Sequence, residues 1–188
     1  MAKSKINYRK ILIEALSISF AVFLALGARQ WGESYNHNKL AKKVIVNIAK
    51  ELNENKEIMD EVIPYQRARI HEFDSIISIL EEGGIYNDSI KNLEITLISS
   101  TAWEMAKITN AIYYIDFEKV NTLASVYNLQ SYYESIVKQY ILNNTGLVKD
   151  NNDIESLNSK KLILEALIPL EENLKQYYTI LLDSVIQQ

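Results

Sequence analysis

One stretch constrains everything downstream: residues 11–28, ILIEALSISFAVFLALGA, the only long apolar run in the chain. Cations close it on both sides, with Lys3, Lys5, Arg9 and Lys10 before it and Arg29 directly after. A helix rises about 1.5 Å per residue, so this run reaches roughly 27 Å, enough to cross a thin hydrocarbon core of about 30 Å with some adjustment. The expected reading is a membrane anchor, with residues 1–10 as a basic cytoplasmic tail and residues 29–188 as a helical domain hanging from it. Two other readings compete. A cleaved secretory signal has the same basic start, and Ala25-Leu26-Gly27 offers small residues at a suitable exit. Against it, the helical pattern runs on through Trp31 and Tyr35. A buried core helix of a soluble protein would crowd four cations at one end with no acidic partner nearby.

Glu14 is the costly residue, because an ionised carboxylate in lipid faces a partner, a cavity or the headgroups. At about 100° per residue, Glu14, Ser17, Ala21, Ala25, Ala28 and Gly32 fall in one narrow sector, with Ile13, Leu16, Phe20 and Phe23 outside it. Small residues at three- and four-residue spacing let two helix backbones approach closely in a membrane, where packing drives association. The stripe therefore predicts self-association of the anchor. Glu14 either turns into that contact or snorkels to the headgroups and pairs with Lys10, one turn earlier.

The dense N-terminal cations favour a cytoplasmic tail and an exported C-terminal domain, although Arg29, Lys39, Lys42 and Lys43 nearly balance the count. Cysteine is absent, which excludes disulfides and thiolate chemistry. Only five glycines and two prolines occur, too few for the many turns of a sandwich or barrel. The net charge is −4 and no basic stripe recurs after Lys43, which argues against a nucleic-acid partner. These counts point to an all-α chain: one transmembrane helix followed by an antiparallel bundle of about four main helices.

Along the chain, Trp31, Ala41, Ile45, Ile48, Leu52, Met59 and Val62 recur at alternating spacings of three and four, as in a long rod with one apolar seam. Asn38 and Asn55 share that seam, either to fix register or to mark where the helix meets water. Pro64 predicts a kink or the start of a second helix to about Glu82, ended by a left-handed cap at Gly83-Gly84. Asp88 reads as the cap of a helix over residues 90–98, with Leu93 and Leu97 inside. Ser100 or Thr101 caps a short helix on which Trp103, Ala106 and Asn110 share a face. Asp116 opens a long helix to about Asn143, with an expected inner stripe of Val126, Leu129, Tyr133, Ile136 and Tyr140. A last helix, over residues 154–186, has Ile163, Leu167, Leu170, Leu174, Tyr177 and Leu181 as its stripe, with a kink expected at Pro169.

Glu14 within the anchor, Trp31-Gly32-Glu33 after it, and Ala102-Trp103-Glu104-x-Ala106 before a tyrosine-rich helix together resemble an uncharacterised bacterial family, a domain of unknown function with one N-terminal transmembrane helix. In that family the position of Asn110 is often glycine after Ser/Thr, and here it departs. The resemblance implies topology and an α-helical body, and no activity. With it, the expected location is the bacterial inner membrane, with the C-terminal domain periplasmic.

Chemistry-bearing motifs are weak. His71-Glu72-Phe73-Asp74-Ser75 has serine where a zinc-protease motif needs its second histidine. Glu33 and His37 lie one turn apart, but two ligands do not make a metal site. Asp150-Asn151-Asn152-Asp153 lacks the central glycine and terminal glutamate of a calcium loop, so Asp153 is better read as a helix cap. No metal, cofactor or catalysis is expected. Tyrosines pair at Tyr113-Tyr114, Tyr132-Tyr133 and Tyr177-Tyr178, so that one ring of each pair can pack inward. An interhelical pocket near Trp103, Tyr132 and Tyr133 is the candidate ligand site, weighed against rings that simply fill bundle layers. The expected function is a membrane-anchored interaction or scaffold module, self-associating or docked on a membrane-protein partner. The alternatives are an exported sensor or ligand-binding bundle, and a single-span ion-pathway subunit using Glu14.

Overall fold

The computed structural model describes residues 8–87, 93, 95–144 and 153–185. Among them the chain is all-α, with four helices, one short 3-10 turn and no strand. Helix α1 spans Tyr8–Glu81, 74 residues in one piece, about 110 Å of rod. Helix α2 is Thr101–Ile108, a 3-10 turn covers Ala111–Tyr114, α3 is Phe117–Asn144 and α4 is Ile154–Val185.

One helix is thus long and apolar enough to cross a membrane. Over residues 12–36 every described side chain is exposed, and none of the apolar window packs against the rest of the chain. That removes the core-helix reading. Packing begins at His37, whose ring stacks on Tyr114 with centroids 3.9 Å apart, and the first buried residue on α1 is Ala41. Above that point α1 becomes a wall of the bundle. Asp60, Arg67 and Asp74 on α1 pair in order with Lys175, Glu172 and Lys161 on α4, so the two helices are antiparallel. Tyr133 and Gln130 of α3 meet Glu171 and Tyr178 of α4, again antiparallel. Helix α2 runs back down α1 towards the exposed segment, and the 3-10 turn reverses the chain into α3.

Several expectations change. Pro64 opens no second helix: α1 continues through it to Glu81, with Pro64 on the solvent side, where the missing N–H and the ring disturb no packing. Pro169 likewise lies on the exposed side of α4 without ending it. The helix expected over residues 90–98 falls partly outside the described residues, but Leu93 and residues 95–98 are irregular. Asp88 and Asp150 to Asn152 also lie outside them. Asn38 is exposed, whereas Asn55 is buried and hydrogen-bonded.

The local stop and start signals hold. Gly83 sits at φ +83°, its N–H donates to Leu80 O, and the Gly84 N–H donates to Ile79 O, a left-handed C-terminal cap. Gly83→Ala is expected to cost about 1 kcal/mol, since a Cβ there meets no neighbour and only the backbone is strained. Thermal unfolding measures that cost, and an unchanged midpoint would remove the strain argument. Asp116 Oδ1 accepts from the N–H of Glu118 and Lys119 at 3.0 and 3.2 Å, and Asp153 Oδ1 from Glu155 at 3.1 Å. Asn110 has φ 56°, a conformation asparagine tolerates nearly as glycine does.

Candidate functional site

The bundle interior is wetter in character than the apolar stripes predict. The buried face of α1 carries Glu51, Asn55, Gln66 and Arg69 among Ile48, Leu52, Met59 and Phe73. Opposite them, α3 contributes Gln130, Tyr127 and Tyr133, and α4 contributes Glu171 and Tyr178. Several of them, Asn55, Gln130, Glu51 and Tyr133, hold the irregular segment 95–100, which lies half-buried along the bundle and has backbone polar groups with no ladder to receive them.

Asn55 Oδ1 accepts from Ser99 N–H at 2.9 Å while its Nδ2 donates to Ser99 O at 2.7 Å. Gln130 Nε2 also donates to Ser99 O, at 2.7 Å, and Tyr178 donates to Gln130 Oε1 at 2.9 Å. Glu51 ties the next turn down: Oε2 accepts from Ser99 Oγ and from Ala102 N–H, each at 2.8 Å, and Oε1 from the Tyr127 hydroxyl at 2.7 Å. A carboxylate at this place satisfies an otherwise orphaned N–H of α2 and faces the positive end of its dipole. The local cap residue, Ser100, makes no side-chain hydrogen bond to the helix, so Glu51 supplies from across the interface what the sequence next to α2 does not.

Further up, Tyr133 lies 2.9 Å from both Thr96 O and Glu171 Oε1, and Gln66 Nε2 donates to Glu171 Oε1 at 3.0 Å. Burial raises the Glu171 pKa above the ordinary carboxylate range, only partly opposed by the donors Gln66 and Tyr133. Burial likewise pushes the hydroxyls of Tyr127, Tyr133 and Tyr178 far above the usual phenol range. These phenols stay protonated and serve as donors.

Glu51 is also the floor of an open groove of about 520 Å³ between α1 and α2, walled by Lys43, Asn47, Lys50, Glu54 and Met105. Of the pocket expected from sequence, Tyr133 is fully buried in the network, Trp103 stacks on Tyr127 at 5.2 Å, and Tyr132 is exposed. The cleft that Trp103 does line is shared with Tyr127, Asn128, Ser131 and Glu134. Glu33 accepts from Arg29 Nε at 2.8 Å, while His37 is taken up by Tyr114. Every member of the stripe Glu14, Ser17, Ala21, Ala25, Ala28 and Gly32 is exposed.

Sequence reasoning missed Glu51, Gln66, Gln130 and Glu171. Glu51, Gln130 and Glu171 each adjoin an aliphatic residue of an expected stripe, Leu52, Leu129 and Leu170, and Gln66 lies one turn beyond Val62. The observed stripe of α3 is Leu123, Val126, Tyr127, Gln130, Tyr133 and Val137, and that of α4 is Leu164, Leu167, Ile168, Glu171, Leu174, Tyr178 and Leu181. The available signal was a polar residue recurring in phase with the apolar ones, which counts as noise when only hydropathy is followed. Compared with protein families, curated proteins and solved structures, the chain matches none of them.

Proposed function

We propose that this chain is a membrane-anchored helical interaction module that self-associates through its span and carries the bundle as a docking body. In this reading the bilayer is the inner membrane, the basic tail is cytoplasmic and the bundle is exported. The observation that carries it is the direction of the small-residue stripe. At about 100° per residue, Ala25 and Gly32 lie about 160° round α1 from the buried Ala41 and Ile48. Two spans can therefore meet along the stripe with their bundles on the outer sides, clear of each other. The hydrogen-bonded interior supports the same reading, since its polar groups hold one another and segment 95–100.

Ala21→Leu combined with Ala25→Leu is expected to shift the full-length protein in lipid nanodiscs towards monomer, read by mass photometry. Phe23→Leu, outside the stripe, is expected to leave the distribution unchanged. A wild-type protein that is already monomeric sinks the proposal. A second reading, an exported ligand-binding module, draws on the open groove over Glu51.

A further inference from the structure

The reversal from α2 into α3 leaves large apolar side chains in the open: Ile108 is 72% exposed, Tyr113 76% and Phe117 71%. Such residues in one corner call for a cover, and α1 says what lies there. Tyr114, inside this corner, stacks on His37 and shares a cleft with Gln30, Glu33, Ser34 and Asn38. Gln30 stands two residues beyond the end of the apolar stretch and Asn38 ten, so the cleft spans heights of about 3 to 15 Å above it. A headgroup layer occupies roughly the first 5–8 Å beyond the hydrocarbon. Trp31 and Tyr35, farther round α1, also stand exposed at the same level, as interfacial aromatic residues do.

We propose that the α2–α3 corner sits down on the bilayer, with Ile108, Tyr113 and Phe117 inserted among the lipid headgroups. This rests on residues 11–28 being a span. The contact is apolar rather than electrostatic: Asp116 and Glu118 flank Phe117, and the nearby Lys107 is paired with Glu104 at 2.6 Å. Zwitterionic lipid is therefore sufficient. The contact gives the bundle a defined seat, so the rod cannot swing freely about its juxtamembrane segment.

The chain has no cysteine, so single nitroxide labels report one position each. Full-length Tyr113→Cys, Phe117→Cys, Phe23→Cys and Lys138→Cys are labelled in phosphatidylcholine nanodiscs, and collision with oxygen is compared with collision with a water-soluble nickel chelate. Lys138 lies far up α3, on an exposed side chain. The expected oxygen-to-nickel ratio at 113 and 117 is several-fold that at 138 and below that at 23. A lipid-like value at 23 with water-like values at 113 and 117 overturns the seat and leaves the anchor standing. A water-like value at 23 overturns both. Shielding of 113 and 117 from both agents indicates a protein contact and also overturns the seat. Because 113 and 117 are separate surface sites, loss of one variant to misfolding leaves the other to decide.

Discussion

Glu51→Ala is expected to lower the stability of the bundle by about 3 kcal/mol, a fall of roughly 6–12 °C in the melting midpoint for a chain of this size. The carboxylate is buried and receives three donors from three elements: Tyr127 on α3, Ser99 on the irregular segment and Ala102 on α2. Truncation orphans the hydroxyl of Tyr127, a residue only 4% exposed, and opens a void beside it. It also uncaps α2 and frees segment 95–100, so proteolysis near Ser99 should accelerate together with the loss of stability. Glu51→Gln should fall between wild type and alanine, because the amide keeps one acceptor but turns an N–H₂ towards a donor. Glu54→Ala is the control: Glu54 is exposed, pairs with Lys50 at 3.5 Å, and should change stability by no more than about 0.5 kcal/mol. An alanine variant at position 51 that melts like wild type would mean that water replaces the carboxylate, and the account of how α2 is held would be lost.

Glu171→Gln is expected to flatten the pH dependence of stability, gaining on the wild type as pH rises. Tyr133 has one hydroxyl proton and two acceptors in reach, Thr96 O and Glu171 Oε1. If it donates to Thr96, the Glu171 contact is a hydrogen bond only when Glu171 supplies the proton. Both hydrogen-bonding partners of Glu171, Gln66 and Tyr133, are neutral, and its Oε2 is buried with no partner among the described residues. A neutral carboxyl suits this place, in line with the upward push of burial on its pKa.

The sign follows by linkage. The folded state keeps this proton to higher pH than the unfolded chain does, so stability is full below the ordinary glutamate range of about 4.3. It declines as pH rises towards the raised folded value, because the unfolded state then binds fewer protons. Glutamine has no proton to lose, but an oxygen that accepts from Gln66 cannot also donate to Tyr133 as the protonated carboxyl does. Thermal melts of both proteins between pH 4 and 9 should therefore show the wild type at its best at the acid end and the glutamine variant gaining on it towards the alkaline end. A constant gap across that range would show that Glu171 does not titrate in the core.

Some of the architecture was open to a reader of the sequence. The few glycines and prolines, the α1 seam from Ala41 to Val62 and the caps at Gly83, Asp116 and Asp153 appear where expected, because each depends on composition or on groups within a turn or so, whereas Trp31 and Asn38, drawn into the same seam, are exposed. Two of the three tyrosine pairs behave as adjacent helix residues must: Tyr133 and Tyr178 turn inward while Tyr132 and Tyr177 stay at the surface, whereas Tyr113 and Tyr114 are both exposed. Other features were hidden. At Pro64 a local rule allowed a second helix to begin, and packing of α1 against α4 on both sides of the proline carries one helix through it. On α3 and α4 the stripes were drawn through Leu129 and Leu170, which are half-buried, instead of through Gln130 and Glu171, which are fully buried. Hydropathy prices a glutamine or glutamate as if it stood alone. Inside this bundle each has partners, and a partnered polar group is far cheaper to bury.

What the amino-acid sequence by itself determined is the helical class, the position and length of the apolar stretch, and the ends of most helices. Those properties reside in neighbours along the chain, and a 3.6-residue period exposes them. Only the tertiary structure decided that segment 95–100 would be pinned against the bundle, that Glu51 would cap a helix starting fifty residues later, and that Glu171 would lie beside Tyr133. The bonds that settle those points join residues 31 to 51 positions apart, and no local pattern records which distant donor will meet which acceptor.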